Sequence, residues 1–310
     1  MIKKIISLGF CMMLGFASYA QQDVLVSQYM FNTLLINPAY AGSKDYASAS
    51  LLYRNQWVKF EGAPKTFVGT FHSPTRKRKV GLGLEFAADK IGVTNRYDIY
   101  GNYAYHMKMN DKLKLSLGLR GGISYFNAKL SELTVWDSND LLFTPPSQSN
   151  ILPNFGAGVY LYSKKFYLGL SVPELLSYDA TRPVSLDIQN NIVPHQVRHY
   201  FATVGGAIEV SPDFVLRPAL LVKYSQNTPV ETDFNLNFCI KKILWIGGAY
   251  RTGDAAVAMV EIQATKKLRL GYAYDFTTSE LKNYSNGSHE IMLGYDFGYD
   301  IMKIKTPRYF

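Results

Sequence analysis

The amino-acid sequence predicts an all-β protein: a transmembrane, outer-membrane antiparallel β-barrel of about 14 strands. Three observations carry that prediction. The first is the stretch from Arg96 to Phe126, which alternates apolar and polar residues with a period of two on both sides of a short MND turn. Tyr97, Ile99, Tyr103, Tyr105 and Met107 share one face, and Arg96, Asp98, Asn102, His106 and Lys108 share the other. After the turn Leu113, Leu115, Leu117, Leu119, Ile123 and Tyr125 alternate with Lys112, Lys114, Ser116, Arg120 and Ser124. Each arm reaches the roughly 9–11 residues that a strand needs to cross a bilayer, whereas most strands of soluble domains have about 5–6. The second observation is composition: 23 Tyr, 18 Phe and 18% charged residues, against roughly 25% charged in soluble domains. That many aromatics suits the girdles of a barrel. The third is that no run of 18 apolar residues follows the N-terminus and mean hydropathy is -0.06. Helical membrane proteins are thereby excluded, while a barrel, half of whose strand residues are polar, is not.

Residues 1–20 read as a secretory signal. Lys3 and Lys4 form its charged start, Ile5 to Phe16 its apolar core, and Ser18-Tyr19-Ala20 a small-x-small cleavage site before Gln21. Bulky Phe10 and the early position argue against a lipoprotein site at Cys11. Cleavage after Ala20 leaves Cys239 as the sole cysteine, so neither an intramolecular disulfide nor a cysteine zinc site is expected. Residues 21–42, with Asn37-Pro38 and the stop Gly42, read as a periplasmic lead-in that packs under or inside the barrel domain 43–310.

Strands follow at about Asp45–Gln56, Lys65–His72 and Val80–Asp89, then the 96–126 hairpin, Pro153–Tyr162 and Lys165–Val172. The remaining seven are expected at His199–Val210, Phe214–Ser225, Val230–Ile240, Ile243–Arg251, Ala255–Ala264, Leu268–Phe276 and His289–Phe297. Leu244 and Ile246 oppose Trp245, so alternation alone does not orient that strand. SPTRKRK, MND, SK, SPD, KK and TKK are short connections, whereas 128–151, 173–197 and Ser279–Ser288 are long. Short periplasmic turns opposite longer external loops are the ordinary asymmetry of such barrels. The formal charge of +9 concentrates in those short connections, at Arg76-Lys77-Arg78-Lys79, Lys164-Lys165, Lys241-Lys242 and Lys266-Lys267. They read as solvated turns on one rim; export makes nucleic acid an improbable partner. A soluble sandwich or propeller would also be strand-rich, but no blade repeat is present.

Catalytic readings are weak. His106 shares a face with Asn102, and His289-Glu290 and His195/His199 are the other histidine arrangements to weigh. No zinc-helix pairing, nucleophile elbow, Walker loop or dinucleotide fingerprint is present. The glycines of LGLRGG (117–122) read as strand glycines that relieve curvature. Arg54, Glu85, Asp98, His106, Arg120, Glu231, Asp233, Arg269 and Asp275 are candidate lumen-lining residues, with Asp296 and Arg217 on the same faces. Paired charges filling a lumen are the simplest account; a selectivity ring is the alternative.

Several stretches carry a family resemblance: QYMFNTLLINPAYAGS (28–43), YRNQWVKFEGAPKTF (53–67), DKIGV (89–93), AYHM (104–107), FYLGLSVPELL (166–176), LRLGYAYDFT (268–277), GSHEIMLGYDF (287–297) and TPRYF (306–310). Together they resemble the PorP/SprF family of type IX secretion system membrane proteins of Bacteroidetes. The loops 128–151 and 173–197 contribute least to the likeness. The resemblance implies an outer-membrane barrel without enzymatic activity or cofactor. It also implies partners among the periplasmic ring or peptidoglycan-binding subunits, or a secreted cargo such as a large adhesin, including those of gliding motility. Trp57, Phe60 and Pro64, in the first external loop, are the candidate partner contacts, together with the two long loops. A diffusion channel or hydrophobic-solute transporter is the competing reading.

Overall fold

The computed structural model describes residues 26–129, 148–178, 196–226 and 228–298. Fifteen strands form one sheet among them. In order they are β1 (Ala47–Asn55), β2 (Lys65–Pro74), β3 (Val80–Ile91), β4 (Thr94–Lys108), β5 (Lys114–Ala128), β6 (Gln148–Tyr162), β7 (Phe166–Val172), β8 (His199–Gly206), β9 (Ile208–Ser211), β10 (Phe214–Ser225), β11 (Glu231–Ile240), β12 (Leu244–Arg251), β13 (Ala255–Gln263), β14 (Leu268–Thr277) and β15 (Ser288–Phe297). Pairing is antiparallel throughout. β8 and β9 both pair with β10 and form one stave, so the barrel has fourteen. It closes where β1 meets β15, from Ala47↔Phe297 to Asn55↔His289. Closure leaves only the four residues of β9, at the end of a stave, paired on one side; elsewhere the sheet has no edge strand, the condition it must meet in lipid.

Alternation decides which way each side chain points. Along β4 exposed Tyr97, Ile99, Tyr103 and Tyr105 alternate with buried Asp98, Tyr100, Asn102, Ala104 and His106. The exposed set on the outer wall is apolar: Leu84, Ile99, Leu119 and Phe155 are all more than half exposed. That is the outside of a barrel in lipid. On β12 Ile246 points outward and Trp245 packs against the buried core, which settles the orientation that the sequence left open.

Most strand ends lie within two residues of expectation, and two places differ further. β6 starts at Gln148, not Pro153, and pairs with β5 up to Ala128↔Gln148, so the expected 128–151 loop is shorter. Asn150 is buried on the inner face and Ser149, on the outer face, is polar, so the apolar alternation that marks the strand stops at Ile151. The expected strand His199–Val210 is interrupted at Ala207, whose amide donates to the Lys165 carbonyl at 2.7 Å. All the basic clusters lie on one rim, in connections 75–79, 163–165, 241–243 and 264–267. The opposite rim carries the long connections, and also short ones at 92–93 and 252–254.

The described part of the lead-in, residues 26–42, lies inside the barrel. Its single-turn 3₁₀ helices, Tyr29–Phe31, Thr33–Leu35 and Pro38–Tyr40, are almost wholly buried. Asn37 starts the third by accepting from the Ala39 amide at 2.9 Å, and Pro38, which has no amide to leave unpaired, follows it. Val26, Tyr29, Met30, Phe31 and Ile36 form one core with Leu52, Val68, Leu221, Met259 and Met292 of the wall. Leu34, Ala39, Tyr40 and Ala41 form another with Ala104, Tyr160, Tyr162 and Tyr167. The two largest hydrophobic clusters among the described residues are therefore contacts between a threaded strap and its barrel.

Candidate functional site

A segment buried in a lumen must find partners for its own peptide groups, because an unpaired buried amide or carbonyl is costly. The wall supplies them. Glu290 accepts from the amides of Ser27 and Gln28, both at 2.8 Å. Arg217 donates to the Met30 carbonyl at 2.9 Å, and Ser171 Oγ donates to the Ile36 carbonyl. Asn37 Nδ2 donates to the Val159 carbonyl at 3.0 Å. At the strap's other end His72 Nδ1 accepts from the Gly42 amide at 3.2 Å. His106 Nε2 lies 2.9 Å from the Ala41 carbonyl, so it donates there, while its Nδ1 sits 2.9 Å from the Tyr162 hydroxyl. Two wall glycines make room for the strap: a Cβ on Gly81 would stand 1.9 Å from the Ala41 carbonyl oxygen, and one on Gly118 2.1 Å from the Ala39 nitrogen. At Gly118, in LGLRGG, this close approach replaces the expected role of relieving curvature.

Three buried charge clusters surround the strap. Near the rim of long connections, Arg54 binds Asp275 at 2.7 Å and Glu290 at 3.0 Å, and Ser27 Oγ donates to Asp275 and accepts from Arg54 at 3.0 Å. Arg251 extends this cluster to Asp233 and Asp254, both at 3.0 Å. On the β3–β5 side Arg120 meets Glu85 at 3.1 Å and lies 3.7 Å from the Tyr100 ring centre, and Arg96 joins Asp98 at 2.9 Å and Glu174 at 2.6 Å. Near the short-turn rim Arg269 meets Asp296 at 3.1 Å and Glu261 at 3.4 Å, and Lys44 lies 3.5 Å from Asp296. On that rim itself, a hydrogen bond from Lys108 holds the exposed Asp111 carboxyl below its ordinary value.

The structure thus places Arg54, Glu85, Asp98, His106, Arg120, Asp233, Arg269 and Asp275 on the buried face, and Glu231 half-buried 3.7 Å from Arg251. Sequence reasoning weighs Glu290 only beside His289 and not as a lumen residue, and it does not single out Arg251, Glu261 or Glu174. The first three stand at the right parity on their strands, so strand register was the available signal. Glu174 follows a proline outside any strand, and nothing local marks it. Tyr100, Tyr160 and Tyr167 are also buried, so the tyrosines do not all serve an outer girdle. His289 and Glu290 point to opposite faces of β15 and cannot act together; His289 instead accepts or donates at 2.7 Å to the Tyr272 hydroxyl. His195 lies outside the described residues, and His199 is buried against Phe201. Among the described residues no group of three or more His, Cys, Asp or Glu side chains is arranged to hold a metal.

Trp57, Phe60 and Pro64 occupy connection 56–64 on the rim of long connections, with Phe60 exposed and the other two partly so. That connection is pinned. Val58 and Gly287 share a 2.9 Å bond, Asn286 donates to Val58 at 2.8 Å, and Gly92 donates to the Gly62 carbonyl at 2.9 Å. Trp57 (φ 45°) and Lys59 (φ 76°) hold left-handed backbone conformations, which cost about 1–3 kcal/mol each in residues other than glycine.

A closed antiparallel barrel with an apolar outer wall and a polar, filled interior defines an outer-membrane β-barrel protein. The chain belongs to the PorP/SprF family of type IX secretion system membrane proteins, whose model matches residues 18–295. Among solved structures, Acinetobacter baumannii Omp33 is 6% identical over 83% of this chain and 100% of its own, with a TM-score of 0.46. A Pseudomonas aeruginosa FadL homologue is 12% identical over 84% and 93%, at 0.44. The KdgM porin is 10% identical over 81% and 99%, at 0.39. Likenesses this distant carry no functional information. No curated protein matches the chain.

Proposed function

We propose that this protein is a non-catalytic docking component of type IX secretion in the outer membrane of a Gram-negative cell. A cleaved signal ending at Ala20 would export it. The basic rim would face the periplasmic ring or peptidoglycan-binding subunits, and the opposite rim, with Trp57, Phe60, Pro64 and the two long loops, would meet secreted cargo such as a large adhesin. The observation that carries this reading is the filled lumen: residues 26–42 occupy it, and Glu290, Arg217, Ser171, His72 and His106 of the wall bond to their peptide groups. A barrel so filled offers partners its two rims rather than a passage, and aromatic residues on a pinned loop suit recognition. Deleting the gene is expected to abolish secretion or surface display of at least one type IX cargo. Unchanged secretion and display of every such cargo would sink the proposal. Trp57→Ala/Phe60→Ala is expected to reduce display while leaving the barrel's heat-modifiable mobility unchanged.

A further inference from the structure

The outer wall below the rim of long connections carries a row of aromatics set by strand register. Tyr272, Tyr53, Phe67, Tyr97 and Tyr125 lie in it, with Ile291 between the first two and Ala88 between Phe67 and Tyr97. Such a row marks the membrane interface. One register step above it stand Asn55, Lys65, Lys90, Asn95 and Asn127. Lys65 and Lys90 are direct cross-strand neighbours, both exposed and both on the lipid side. Like charges so placed destabilise a sheet. Neither has an ion-pair partner among the described residues; Asp89, beside Lys90 in sequence, accepts from Thr66, and Glu61, the one acid lining the concavity between them, forms no ion pair with either. That concavity, about 670 Å³, is walled by the pinned connection 56–64 and the Gly92-Val93 turn, with Lys59 on its lining. Below Lys90 the missing ring at Ala88 leaves a gap in the aromatic row.

We propose that Lys65, Lys90 and Lys59 hold the phosphate of an outer-leaflet glycolipid headgroup, with an acyl chain running down over Ala88. The ligand's charge cancels the repulsion that the pair otherwise carries. Lysines just above the hydrocarbon boundary reach headgroup phosphates through charge-assisted hydrogen bonds. The inference rests on the rim of long connections being external, and does not depend on any secretion role.

The test is native mass spectrometry of the full-length protein in detergent. The probes are bis-phosphorylated lipid A, the same lipid stripped of phosphate, inorganic phosphate, and an oligoglutamate peptide. The protein is expected to retain one lipid A, and the Lys65→Gln/Lys90→Gln variant to bind it about tenfold more weakly or worse. Lys164→Gln, on the opposite rim, is expected to bind as the parent does. Both variants change exposed side chains, and heat-modifiable mobility checks that each barrel has folded. Equal binding by the double variant, equal binding of the dephosphorylated lipid, or Lys65/Lys90-dependent binding of free phosphate or oligoglutamate in place of the lipid would overturn the proposal.

Discussion

Arg54 shows how far this barrel depends on single side chains. It is buried, pairs with two carboxylates and also touches Ser27 of the strap. Removing one partner of a buried ion pair strands the others without solvent, which costs about 3–5 kcal/mol. Arg54→Ala is therefore expected to lower unfolding free energy by that amount in urea titrations of the protein in lipid vesicles; a loss below about 1 kcal/mol, the range of a surface pair, contradicts the arrangement. Gly118 gives a second test, of shape rather than charge. A valine there has no space against Ala39, and overpacking costs about 1–3 kcal/mol. Gly121→Val on the same strand faces outward, where the nearest heavy atom to a new Cβ is the Phe155 ring edge at 3.4 Å, and should cost less.

At the scale of elements, the strap behaves as part of the core. Its amides at Ser27, Gln28, Ala39 and Gly42 are bonded to buried side chains. Hydrogen exchange over residues 26–42 is expected to be as slow as in β4 and β5, since opening it means opening the barrel. Exchange as fast as in the rim connections would show instead a loosely held plug. The strands were legible in the sequence because lipid on one side and a polar lumen on the other impose a strict period of two. Nine lumen candidates came from that parity alone, as did the outward leucines and tyrosines. The strap was not legible in the same way. NTLLINPAYAG is buried on every side, so it has no wet face and no period. Glu174 escaped for a related reason: its burial depends on a loop folding inward to Arg96 and Gln196, a tertiary event with no local trace. Gly118 reads as curvature in the sequence because its neighbour, the strap, is far away along the chain.

For the whole molecule, the strap's course matters most. Ser27 and Gln28 sit among Arg54, Asp275 and Glu290 near the rim of long connections, and Ala41 and Gly42 meet His106 and His72 near the short-turn rim. The chain thus runs the length of the lumen before entering β1. A barrel of fourteen staves is wide enough to conduct unless it is filled, and here wall and strap share one core. This filling is predicted to leave a closed scaffold and not a channel. The most direct measurement is single-channel conductance in planar bilayers of the intact protein and of a variant with residues 26–42 replaced by a short Gly-Ser linker. The intact protein is predicted to give no steady conductance and the variant to open large, stable channels. A steady large conductance from the intact protein would contradict the claim.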